Sequence, residues 1–348
     1  MKGCNLFYTG CDVHTEHYPV MLEEVIEALA IKPGRTYVDA TAGAGGHLRA
    51  IADKLAGQGR LIGIDQDLDS LSKLESRFPD ATLIHDNFAN LKSALAARDI
   101  HTIDGGILAD LGVSSMQIDQ GERGFSFQKQ GPLDMRMDRT QSLTAQEIVN
   151  TWSEDDIADI IYKYGEERYG RAIARNICKS RPIDSTLQLA EIVTRSVRWS
   201  EGKSADKNKK KIYQSKKDAE HGGAGGAEQS RRHSSIHPAT RTFQALRMAV
   251  NAELSSLEIF LRDALNLLSP GARMVLITFH SLEDRIVKQF FREAANPCTC
   301  PPRAPMCICN KASQLLIINR KPVTACEKEL LANIRSRSAK LRAGEKLI

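Results

Sequence analysis

Long apolar runs are missing from this chain. Nothing approaches the roughly 18 consecutive apolar residues of a membrane helix, and the opening M-K-G-C-N-L-F-Y-T-G-C has no apolar stretch leading to a small-residue cleavage site. The expectation is a soluble cytoplasmic protein with no membrane partner. Charge of one sign is also scarce. With 48 basic residues against 43 acidic ones the formal net charge is +5, an excess that permits a nucleic-acid partner without requiring one. No internal repeat is visible. Disorder is excluded as well, because 348 residues at 42% hydrophobic content fill a sizeable core. In a reducing compartment the eight cysteines are thiols or ligands rather than a disulfide framework.

A further absence is more informative. The chain has no G-x-G-x-x-G turn of the kind that rests a pyrophosphate on a helix N-terminus. In its place, from Tyr37, stands Y-V-D-A-T-A-G-A-G-G-H, then a helix-length segment and R-L-I-G-I-D ending at Asp65. The order reads strand, glycine turn, helix, strand, with Asp39 ending the first strand. Gly43, Gly45 and Gly46 are expected to supply positive φ angles and bare backbone for a ligand, and a helix from Leu48 to Leu55 to aim its N–H groups back at them. Asp65 follows Gly43 at close to the roughly 20-residue offset where an acidic side chain accepts hydrogen bonds from a ribose. Alone, the glycines fit an ordinary strand-to-helix turn equally well; with Asp65 they favour a ligand with a ribose and no phosphate, such as S-adenosylmethionine.

Helices and strands alternate along the chain, which argues a parallel sheet. Leu22, Val25, Ile26 and Leu29 mark a first helix, and Leu68 to Arg77 another before a strand from Ala81 to His85. Phe88 then either covers an adenine face or packs the helix that follows. A buried fourth strand carries Asp110 at its carboxyl end, so Asp110 and Asp65 are expected at one crevice. Met274 to Phe279 makes a fifth strand ending at His280, which either touches substrate or is packed. His237 to Arg247 leads into a long helix striped by Leu254, Leu257, Leu261 and Leu265, and strands at Leu315 to Asn319 and around Lys340 to Glu345 bring the total to seven.

The remaining segments are less regular. Ile118 to Asp138 is too long and too rich in Gly, Arg and aromatics for a bare connection, so it is read as functional or mobile. Its Phe125 and Phe127, beside Arg123, Arg136 and Arg139, either hold unstacked bases or plug the loop. Capping motifs begin helices at Thr144 and Ser153. Arg168, Arg171, Arg175 and Lys179 share a face that tracks phosphates or is simply solvated, with Glu167 pairing to Arg171. A helix runs from Thr186 to Arg198, and the Lys/Gly-rich stretch from Ser200 to Ser235 is expected to be a flexible excursion. Late in the chain, Cys298, Cys300, Cys307 and Cys309 could supply thiolates to zinc. The C-x-C spacing is tighter than usual and Pro301, Pro302 and Pro305 stiffen the loop, so no resident metal is expected and zinc stays open.

Several motifs together resemble the RsmH (MraW) family, bacterial methyltransferases of small-subunit ribosomal RNA. They are Gly43 to His47, Asp110 to Ser115, Gly121 to Phe127, Gly131 to Asp138, His237 to Arg247, Phe279 to Arg285 and Arg335 to Arg342. The resemblance implies an α/β class I (Rossmann-like) S-adenosylmethionine-dependent methyltransferase with a seven-stranded, mostly parallel sheet and an inserted helical domain. On that basis the chain divides into an arm at 1–16, methyltransferase parts at 17–134 and 236–348, the helical domain at 135–199 and a linker at 200–235. It implies methylation of the 4-amino group of cytosine 1402, at the decoding-centre P site of 16S rRNA. Cofactor contacts would fall at Gly45, Gly46, His47, Asp65, Phe88, Asp110 and Gln117. Asp110 would position the amine, and Arg123, Phe125, Phe127, Arg136, Arg241 and His280 would face substrate. Free RNA or an assembled subunit, monomer or homodimer, are left open.

Other classes fit less well. A DNA amino-methyltransferase would carry an N-P-P-Y-like tetrapeptide where D-L-G-V stands, and a nicotinamide oxidoreductase would need the missing glycine pattern. A non-catalytic RNA-binding module would have no use for the cradle.

Overall fold

The computed structural model describes residues 19–200, 237–300 and 308–348, which form two compact units, Met1–Ser115 with Glu253–Ile348 and Met116–Ala252. The arm expected at 1–16, most of the Lys/Gly-rich stretch, and Cys307 lie outside the described residues. The second unit begins before and ends after the helical insert bounded at 135 and 199. It takes in the irregular loop that follows the fourth strand and a further helix, Ala239–Val250, packed on Glu154–Gly165.

The first unit is built on seven strands, β1 (Thr36–Asp39), β2 (Arg60–Asp65), β3 (Thr82–His85), β4 (Gly106–Asp110), β5 (Arg273–Thr278), β6 (Leu315–Ile317) and β7 (Lys340–Lys346). Their order is β3-β2-β1-β4-β5-β7-β6, as the expected class I fold requires; the pairs among β1 to β5 are parallel, and β7 runs antiparallel to both neighbours. Alternate residues of one strand enter different cores. Ile107 and Ala109 join one apolar cluster with Met274, Leu276 and Phe260; Leu108 joins another with Val275, Ile277 and Ile51. Both faces are covered, which is why β4 and β5 read as apolar runs without alternation. Strand order reverses between β1 and β4, and at such a switch point the carboxyl ends splay into a crevice.

The helices of this unit before the second unit are α1 (Leu22–Leu29), α2 (Gly46–Leu55), α3 (Leu68–Glu75) and α4 (Leu91–Ala96). The second unit holds α5 (Ser115–Asp119) through Asp119, α6 (Ala145–Thr151), α7 (Glu154–Gly165), α8 (Gly170–Lys179), α9 over 186–200, and α10 (Ala239–Val250). The chain then returns through α11 (Glu253–Leu267), α12 (Ser281–Ala295) and α13 (Glu327–Ala332). Thr144 and Ser153 cap α6 and α7 as expected, accepting from Glu147 N and Asp156 N. No helix among the described residues is long and apolar enough to cross a membrane.

Two local expectations need correction. The segment His237 to Arg247, expected to lead into a long helix, forms most of a helix of its own, α10, set off from the long helix α11 where Ala252 takes φ 49°. Asn251 ends α10 by accepting from Met137 N (2.8 Å) and donating to the carbonyls of Met135 and Arg247 (2.8 Å each). Glu167 does not extend a solvated helical face toward Arg171. It is buried, accepts from Tyr169 N and pairs at 3.5 Å with Arg241.

Candidate functional site

The carboxyl edge of the sheet presents Asp65, Asp39 and Asp110 on adjacent strands β2, β1 and β4. Asp65 Oδ2 accepts from Gly43 N at 2.6 Å and Oδ1 from Asp67 N at 2.8 Å. A carboxylate has about four lone-pair directions, so one on each oxygen stays available, the number a vicinal diol requires. Burial raises the Asp65 carboxyl from its usual range to about 6, against the lowering effect of those two N–H groups. Asp39 is more deeply buried, and burial raises it to about 7 against the lowering effect of Thr41, which donates from N at 3.1 Å and from Oγ1 at 3.5 Å.

The three glycines differ in backbone and surroundings. Gly43 (φ 51°) and Gly45 (φ 81°) do take left-handed backbone, whereas Gly46 does not. A Cβ on Gly45 would stand 2.6 Å from Leu74 Cδ2, and one on Gly46 2.9 Å from Pro19 Cβ, so the side-chain positions of these two are filled by protein neighbours. Only beside Gly43 is there room, the nearest atom being Thr41 O at 3.7 Å. The N–H groups opening α2 have no acceptor within the helix and suit a carboxylate.

His47 stands in the first turn of this helix. The imidazole is buried, with Nε2 donating to Val20 O at 2.9 Å, and burial lowers it to about 4. A neutral ring with its proton on Nε2 turns a bare Nδ1 lone pair toward Asp110 Oδ2, 3.9 Å away. Asp110 itself is held well above the usual carboxylate range by burial, with Asp39, Glu283 and Glu329 adding repulsion. Its backbone N donates to Thr41 Oγ1 at 2.7 Å, yet its buried Oδ1 has no hydrogen-bond partner. An orphaned, buried carboxyl oxygen is a place for a polar ligand to complete.

Past β5, His280 Nε2 lies 3.0 Å from Glu283 Oε1, but neither ring nitrogen makes a well-directed hydrogen bond. Glu283 in turn accepts from Phe279 N at 3.0 Å. Phe88 meets Phe260 edge to face, centroids 5.3 Å apart, and packs on the apolar core while staying part-exposed. Thr41, Asp39, Glu283 and Glu329 went unremarked in the sequence beyond Asp39 as a strand end, because only tertiary contact brings them to Asp110.

In the second unit the expected substrate residues divide. Arg123 is buried and donates from Nη2 to the carbonyls of Arg136 (3.1 Å) and Met137 (2.9 Å). Arg136 grips Asp134 through Nε (2.8 Å) and Nη2 (3.0 Å) and donates from Nη1 to Arg139 O and Gln141 O. Burial opposes ionisation of Asp134, but Arg136 outweighs it and holds that carboxyl below its usual range. Both guanidinium groups therefore brace the loop. Gln117, on α5, is buried, and Phe125 packs on the helical core with Arg123 over its ring. Phe127 stacks on His237 at 4.6 Å and 27°, and the pair borders a groove of about 670 Å³ with Leu187, Arg195, Arg198 and the exposed Trp199. Trp199 carried no motif that could have singled it out.

A family model described as the MraW methylase family matches residues 14–347. The Ribosomal RNA small subunit methyltransferase H of Paenibacillus sp. (strain JDR-2) is 44% identical over 344 residues, covering 95% of this chain and 99% of that protein. The proteins of the same name from Symbiobacterium thermophilum and Syntrophotalea carbinolica are 46% and 47% identical, each over 95% of this chain and over 96% and 98% of their own. Its matched span takes in the Asp65 cradle, the Asp110 edge and the helical unit alike, and on that span the chain belongs to the MraW methylase family.

Proposed function

We propose that this chain transfers a methyl group from S-adenosylmethionine to the 4-amino group of cytosine 1402 of 16S rRNA in the small ribosomal subunit. The relatives' names supply the class of RNA. The observation that carries the cofactor is Asp65, whose two remaining acceptor directions match a ribose diol and nothing in a phosphate. The residues present fit the donor. Asp65 would hold the sugar, the N–H groups opening α2 the amino-acid carboxylate, and the orphaned Oδ1 of Asp110 a polar hydrogen or positive charge.

S-adenosylmethionine supplies a sulfonium-bound methyl, an electrophile that in-line attack can take. The chain's task is then mostly orientation. The amine must be held with its lone pair turned out of conjugation, at roughly 3 Å from the methyl carbon. An acceptor on one of its hydrogens binds more tightly as positive charge grows on nitrogen. Asp110 is placed to accept that hydrogen bond; burial among Asp39, Glu283 and Glu329 favours its protonated form, so only its ionised form can take up the proton that N4 must lose. The Phe127–His237 stack and Trp199 offer aromatic faces for unstacked bases, with Arg195 and Arg198 beside them for phosphates. Asp110→Asn tests the chemical step: kcat should fall while S-adenosylmethionine still binds, and unchanged turnover would remove Asp110 from it.

A further inference from the structure

Between α12 and the edge strand β6 the chain makes an excursion over residues 296–314, of which 301–307 lie outside the described residues. The described residues 296–300 and 308–314 contain no regular secondary structure and no buried side chain, and Ile308 is 80% exposed. The base of the excursion is closed by Gln314 N donating to Ala294 O at 2.9 Å.

What the excursion does bring together is sulfur. The Sγ atoms of Cys298, Cys300 and Cys309 all lie within 4.8 Å of one another. Cys298 Sγ and Cys309 Sγ are 3.7 Å apart. That separation is far beyond the roughly 2.0 Å of a disulfide. It equals the edge of a thiolate tetrahedron, since Zn–S bonds of about 2.3 Å meeting at the tetrahedral angle put neighbouring sulfurs about 3.8 Å apart. One disulfide could not account for three converging thiols. Cys300 Sγ also accepts from Ile308 N at 3.3 Å, the kind of backbone donor that steadies a metal-bound thiolate.

We propose that Cys298, Cys300 and Cys309 are thiolate ligands of a structural zinc ion that clips the loop between α12 and β6. The C-x-C spacing, which in sequence weighed against a metal, puts Cys298 and Cys300 near enough to share one ion because Cys309 folds back over them. Cys307 lies outside the described residues and is not counted in the site. Zinc is favoured over harder cations because all three donors are sulfur. The site shares no residue with the Asp65 cradle.

The test uses the full chain purified under reducing conditions without a metal-affinity column. Elemental analysis should find about one zinc per chain. Cys298→Ser and Cys309→Ser should each lose most of it, whereas Cys178→Ser and Cys326→Ser should retain it. Calorimetric titration with S-adenosylmethionine reports whether each variant is folded. Should a ligand variant fail to fold, the unmutated chain still decides: stripped of metal and given Co²⁺ alone, it should develop sulfur-to-cobalt charge-transfer absorption that added Zn²⁺ bleaches. A chain that carries no zinc and shows no such absorption, or a Cys298–Cys309 disulfide in peptide mapping of the reduced-purified protein, would overturn the proposal.

Discussion

Replacing Asp65 by Asn isolates the interaction on which cofactor binding rests. The carboxylate serves two backbone donors, Gly43 N and Asp67 N, and keeps one acceptor direction on each oxygen for the sugar. An amide has one oxygen. If it faces Gly43, its NH₂ meets the Asp67 N–H donor to donor and only one ribose hydroxyl finds an acceptor, now uncharged. Losing one charge-assisted hydrogen bond removes about 1.5–3 kcal/mol and neutralising the other about 1 kcal/mol more, so affinity should fall on the order of a hundred- to a thousandfold. The fold should tolerate the change, because the buried carboxyl it removes is itself disfavoured when ionised. A pH signature accompanies the loss. The diol binds the ionised form, the unliganded carboxyl titrates at about 6, and the ionised fraction therefore falls as pH drops through that value. Wild-type affinity should weaken roughly tenfold between pH 7 and pH 5, and most of that dependence should be absent in Asp65→Asn. Calorimetric titration at both pH values measures both effects. A variant that binds within threefold of wild type, or a wild type indifferent to pH over this window, would refute the reasoning.

Gly45→Ala should destabilise the chain by roughly 2–4 kcal/mol in urea unfolding, combining a left-handed φ with overpacking against Leu74; a loss under 0.5 kcal/mol would contradict the packing role. Arg123→Ala leaves two loop carbonyls without their donor and should cost about 3 kcal/mol, while the salt dependence of RNA binding stays as it was. Were Arg123 a phosphate contact, that slope would drop by about 0.7. Trp199→Ala should weaken RNA binding about tenfold or more with S-adenosylmethionine affinity unchanged, and no change in RNA affinity would discount the groove.

The central strands β2, β4 and β5 were legible because each carries a short apolar run, and the caps at Thr144 and Ser153 because both partners lie within four residues. Asp65 and Asp110 were legible for a related reason: strand ends are set locally, and parallel pairing then lines them up. What escaped notice depended on distant neighbours. The role of Gly45 is set by Leu74 and Phe78, the break at Asn251 by Met135 and Met137, and the proton affinity of Asp110 by Glu283 and Glu329. Arg123 and Arg136 read in sequence as partners for unstacked bases because nothing local reveals that a guanidinium will be buried against loop carbonyls. The short helices α5 and α13 span too few residues for any periodicity to emerge.

The central claim is tested most directly by incubating the purified chain with S-adenosylmethionine carrying a labelled methyl group and with small ribosomal subunits that lack the modification, followed by nuclease mapping and mass spectrometry of the RNA. The account predicts label on a single cytosine of 16S rRNA, recovered as N4-methylcytidine, and none when Asp65→Asn is assayed at a donor concentration limiting for wild type. Label on a ring carbon, on a ribose or on another base, or no transfer to subunits or naked RNA by a chain that binds the donor, would contradict it.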